Sequence, residues 1–162
     1  MNKKIETSNN QDIFSLSLSN HSDLPLFHKN YYDNYVLIKI AKENSKITSG
    51  IVIRKDSYSI DEFTVKEIED YTIKNLNKLL KINNNQNNDP LLEVNGGSST
   101  IIIKTNSKNI KINLSNILDE EDRKFFNDFY KSVIKLIEEK GTIEKNKQPW
   151  YRRGFKWMKN KC

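Results

Sequence analysis

Phe14-Ser15-Leu16-Ser17-Leu18-Ser19 alternates apolar and polar residues at every step, and Ile110-Lys111-Ile112-Asn113-Leu114 does so again far downstream. A period of two sends every apolar side chain of a strand to one face. A chain built on such runs must make a sheet with one dry face and one wet face, and something else must cover the dry one. The first run is short and rich in serine, which suits an edge strand.

Two further stretches, Tyr35–Ile40 and Ile47–Ile53, are dense in β-branched residues. The polar segment Lys42–Lys46 between them, with Asn44 at its centre, predicts a β-hairpin. Leu91–Val94 and Thr100–Thr105 flank Asn95-Gly96-Gly97, and Asn-Gly supplies the positive φ angles of a tight turn. With the turn Asn106–Asn109 and the alternating run after it, these predict a three-stranded meander.

Helical spacing appears twice. Thr64 with Glu67 forms a T-x-x-E capping box, after which Ile68, Thr72, Ile73, Leu76, Leu79 and Leu80 recur at steps of three and four. The Asn-rich run Asn83–Pro90 then reads as a break and a mobile loop. The second helix starts near Asp119, where four acids sit at the positive end of the helix dipole, and Gly141 marks its stop. Its apolar stripe is Phe126, Phe129, Tyr130, Val133, Leu136 and Ile137.

The expected fold is therefore α+β: an antiparallel sheet of about five or six strands, a hairpin then a meander, with two helices packed on one face in the order (β)ββα-βββα. The expected domain organisation is a disordered arm over 1–11, a single α+β domain over 12–141, and a basic-aromatic C-terminal tail over 142–162. In architecture alone the layout resembles small bacterial α+β domains, including the emfourin-type inhibitors of metalloproteases; no motif of that family carries over residue by residue.

Charge separates the parts sharply. Of 27 Lys and Arg and 21 Asp and Glu, residues 142–162 hold seven and one, so residues 1–141 balance at twenty of each. The net charge of +6 is a property of the tail. A neutral domain has no overall field with which to gather a polyanion.

Chemistry is sparse. His21 and His28 flank Pro25 without a third metal ligand, and the acids at 119–122 point in different directions on a helix, so no metal site is expected. Gly96-Gly97-Ser98-Ser99 lacks the Lys and the following helix of a phosphate loop. No nucleophile elbow, zinc signature or dinucleotide fingerprint appears, so neither a cofactor nor catalysis is expected. Cys162 is the one cysteine, and no apolar run follows Lys3 and Lys4 as a secretory leader requires. The expectation is a cytoplasmic protein.

The tail is the one stretch where aromatic and basic residues interleave. Placed on a helix, Trp150, Tyr151, Phe155, Trp157 and Met158 share an arc of roughly 160°, with Arg152, Arg153, Lys156 and Lys159 over about 120° opposite. Eleven residues containing Gly154 cannot hold a helix alone in water, so the segment needs a surface. Its own domain, a protein partner, a nucleic acid or an anionic membrane could supply one, the last fitting poorly because the segment is short. These nine residues, four aromatic, four basic and Met158, are the expected partner-binding site of a non-enzymatic inhibitor or adaptor module. A nucleic-acid accessory protein is the alternative, with Arg and Lys, including Lys145 and Lys147, on phosphates and the rings stacked on bases.

Overall fold

A computed structural model describes residues 13–20, 34–87 and 99–144. Seven antiparallel strands form one sheet: β1 (Ile13–Asn20), β2 (Val36–Glu43), β3 (Lys46–Ile53), β4 (Asp56–Ser59), β5 (Ser99–Thr105), β6 (Asn109–Asn113) and β7 (Thr142–Ile143). Their spatial order is β6-β5-β1-β2-β3-β4-β7. Among the described residues, three α-helices accompany the sheet in an α+β fold: α1 (Glu62–Lys74), α2 (Leu76–Asn85) and α3 (Glu120–Lys140).

Strand parity builds the core. Phe14, Leu16 and Leu18 of β1 are buried, as are Val36, Ile38 and Ile40 of β2 and Ile101 and Ile103 of β5. The register places Leu16 between Ile40 and Ile103, so these residues share one face. Val65 and Ile68 of α1, Leu79 and Ile82 of α2, and Phe126, Phe129, Val133 and Ile137 of α3 close on that face in a single cluster. The rings of Tyr71 and Phe129 stack at 5.4 Å, joining α1 to α3.

Several expectations are corrected. The sheet has seven strands rather than five or six, because β4 and β7 are too short and polar to announce themselves. Arg54, at φ 56°, turns the chain after β3 and lets Asp56–Ser59 pair back along it. β7 forms only because Gly141 ends α3 beside β4, where Thr142 meets Ser59.

Strand β1 is not an edge. It lies at the middle of the sheet, paired with β2 on one side and β5 on the other. Its serines mark the face opposite the helices. The loss was in equating small polar residues with a sheet margin, when they record which side of the strand is wet.

The first predicted helix is two helices. At Asn75 (φ −101°, ψ 8°) the side chain donates to the Tyr71 carbonyl at 2.8 Å and so competes with the helical ladder. The break rotates the pattern, and Ile73 lies exposed while Val65 and Ile82 take core places. The N-cap is Asp61, whose carboxylate accepts from the Thr64 amide at 2.8 Å, rather than Thr64. Starting three residues earlier puts Thr64 and Val65 against the sheet.

The Asn-rich run does not begin a loop at Asn83; α2 continues through Asn85. Asn83 Oδ1 accepts from the Lys111 amide at 3.0 Å, Gln86 Nε2 donates to the Lys111 carbonyl at 2.7 Å, and Gln86 Oε1 accepts from the Asn113 amide at 3.1 Å. Side-chain amides thus pair the outer edge of β6 as a further strand would. The strand expected at 91–94, its Asn-Gly turn, the 1–11 arm, both histidines and the whole 145–162 segment lie outside the described residues.

Candidate binding surface

With the helices on one side, the other side of the sheet carries no helix among the described residues. Register defines it row by row. One row runs Lys111, Ile102, Ser17, Lys39, Gly50 across β6, β5, β1, β2 and β3. The next runs Asn109, Lys104, Ser15, Ala41, Thr48 across the same strands. A third contains Thr100, Ser19, Leu37 and Val52.

The centre of this face is a shallow depression of about 450 Å³ over Ser15, Ser17, Ala41, Gly50 and Ile102, flanked by Lys39 and Lys104. Small side chains make its floor low, and a Cβ added at Gly50 would meet nothing within 4 Å. Lys39, Lys104 and Lys111 are exposed and take part in none of the ion pairs of the described residues. The one carboxylate among the strand positions of this face is Glu43, at the hairpin tip opposite Lys46. Among the described residues, none of its strand positions is aromatic.

A larger depression of about 530 Å³ lies on the helix side, between the β2–β3 hairpin and the start of α1. Phe63 stands 75% exposed there. Both of its lysines are already engaged: Lys42 pairs with Glu69 at 2.9 Å and Lys66 with Asp70 at 2.9 Å. Asp61 caps α1, and its hydrogen bonds from Thr64 hold its carboxyl below the usual range. Asp70 likewise raises the Lys66 ammonium. A ligand in this groove would compete with internal partners, whereas on the open face three cations have none among the described residues. The helix-side groove is the larger, but its lysines already have carboxylate partners, so the open face is the candidate surface.

Trp150, Tyr151, Arg152, Arg153, Phe155, Lys156, Trp157, Met158 and Lys159 lie outside the described residues. Sequence reasoning missed the face itself. The alternation of Ser15, Ser17 and Ser19 signalled a wet side, but only the register shows that Lys39 and Lys104 bracket the same spot.

Among the described residues, no three His, Cys, Asp or Glu side chains are grouped so as to hold a metal ion. No helix of these residues is long and apolar enough to cross a membrane. Comparison with protein families, curated proteins and solved structures returned no match to this chain.

Proposed function

We propose that this chain is a non-enzymatic protein-binding module of the inhibitor or adaptor kind, with the open sheet face as its platform and the basic-aromatic segment Trp150–Lys159 as a second contact. One observation carries the reading: a broad sheet face with a low floor of small residues and lysines that lack counter-ions among the described residues. Charges held without a partner on a rigid element cost little to redirect toward a ligand. Trp, Tyr, Arg, Phe and Met in the tail are the residue types that anchor interfaces.

The nucleic-acid reading stands second. Among the described residues the face offers cations for phosphates but no ring on which a base could stack, and this reading assigns the stacking to the tail.

The test is affinity capture with the full chain, followed by reconstitution with each captured protein in purified form. Gly50→Trp fills the depression from a position where an added Cβ meets nothing within 4 Å, and a chain ending at Lys147 lacks the aromatic segment. Gly50→Trp should weaken the reconstituted complex at least about tenfold, while Lys131→Glu on the far side of α3 should not. A complex sensitive only to the truncation would remove the sheet face from the reading. Failure of every purified candidate to bind the full chain would end the binding function itself.

A further inference from the structure

The geometry points to one kind of occupant for the open face: an acidic amphipathic helix of a partner protein, lying along β1 between Lys39 and Lys104. This rests on the binding reading above and adds the chemistry of the partner.

Three features select it. Lys39 and Lys104 stand on the strands either side of β1, hence two strand spacings or roughly 10 Å apart across the sheet. That matches the width of one helix, about 10 Å. Carboxylates on both flanks of a helix would therefore meet one lysine on each side, and Lys111, a strand further out, extends the basic side.

The floor gives the second. Ser15 and Ser17 of β1 and Ala41 of β2 have small side chains, so a helix can approach closely, with Ile102 and the lysine stems giving it apolar contact; Gly50, across from Lys39 on β3, leaves that side of the helix open. The third is backbone accounting. An extended segment laid on a face, rather than along an edge, would leave its own N–H and C=O groups without partners, while a helix satisfies them internally. Strand addition at the β6 edge is opposed because Asn83 and Gln86 already hold the amides of Lys111 and Asn113 and the carbonyl of Lys111.

Charge excludes the chain's own tail as the favoured occupant. It carries Arg152, Arg153, Lys156 and Lys159 with no compensating acid and would bring like charge to a face that already holds Lys39 and Lys104. A helix with the opposite flanks gains where the tail loses.

The experiment is an amide chemical-shift titration of the full chain with a capped helical peptide of about 18 residues, Ala and Leu on one face and Glu on both flanks. Parallel titrations use the same peptide with Lys for Glu, and a thymidine oligonucleotide. Expected are shifts at Ser15, Ser17, Lys39, Ile102 and Lys104 with the Glu peptide only. Binding should be about tenfold weaker for Lys39→Glu with Lys104→Glu, and weaker for Gly50→Glu.

The spectra report at once whether each variant keeps its fold. Absence of shifts, or shifts that survive charge reversal, overturns the proposal. Shifts on these residues from the oligonucleotide in place of the peptide overturn it in favour of a nucleic acid. A reconstituted partner that binds through a segment without acids also overturns it, and leaves the binding function standing.

Discussion

Tyr130 is 7% exposed, and its hydroxyl has no hydrogen-bond partner among the described residues. The Ser99 side chain offsets part of the burial effect without reaching bonding geometry, and the phenol is pushed up to about 12. A raised value means that the fold favours the neutral form, so this contribution is intact below pH 10 and fades between pH 10 and about 12 as the unfolded chain ionises first. Two units correspond to about 2–3 kcal/mol. Tyr130→Phe removes an unpartnered polar atom and should leave stability at pH 7 unchanged or raise it by about 1 kcal/mol. Urea unfolding between pH 7 and 12 should show a shallower alkaline decline for the variant. A loss at pH 7 would mean that the hydroxyl has a partner after all. Asp61 works in the opposite sense. Its lowered carboxyl adds stability above the usual carboxylate range, and that stability disappears as pH falls through the lowered value. Asp61→Asn keeps a capping oxygen and should remove this part of the acid limb in the same urea series. At this scale the sequence was ambiguous rather than silent. Asp61 and Thr64 are both competent caps, and only the need to bury Val65 chooses between them.

Among the elements, β6 shows best how local sequence misleads. Seen alone, it is a short outer strand, and Asn83–Asn88 is a polar run of the sort that makes loops. Together they form a paired edge, because a helix that ends beside a strand can turn its side-chain amides into hydrogen-bond partners. Asn83→Ala with Gln86→Ala should cost about 1–3 kcal/mol and expose the Lys111 and Asn113 backbone. Unfolding midpoints and light scattering at raised temperature would check this, with faster aggregation as the expected second sign. Unaltered aggregation would mean that the edge is guarded by something else. The hairpin of β2 and β3 was legible in full, since Asn44 and Ser45 take the positive φ values, 54° and 72°, that its turn requires. The stripe of α3 was legible too, and Phe126, Phe129, Tyr130, Val133 and Ile137 are all buried. By contrast, Asn75 looks no different from other helix-surface asparagines. Its break depends on one side-chain hydrogen bond that no periodicity records.

For the whole molecule, the placement of β1 decides how stability is distributed. The strand joins a hairpin beside it in sequence to β5, more than eighty residues away, so neither half of the sheet is complete without it. Leu16→Ala should cost about 2–5 kcal/mol, the loss expected at a fully buried central site. An edge position would collapse more easily and cost less. Chemical denaturation gives the number, and a loss near 1 kcal/mol would contradict the central placement. Topology of this kind is hard to read from one chain. Alternation tells which face of a strand is dry, but says nothing of which strands are neighbours. The open face was hidden for the same reason, being made of residues from five strands that acquire meaning only in register.

The asparagine edge has a consequence at the level of codons. Asparagine and lysine differ only in the third base, so in an AT-rich gene a single change converts one into the other. At most exposed positions that exchange alters little beyond charge. At Asn83 it would replace the oxygen that receives the Lys111 amide with an ammonium that can only donate. A tract that reads as a loop thus contains a site where such drift is not free, and substitution patterns within it should separate Asn83 and Gln86 from the asparagines around them.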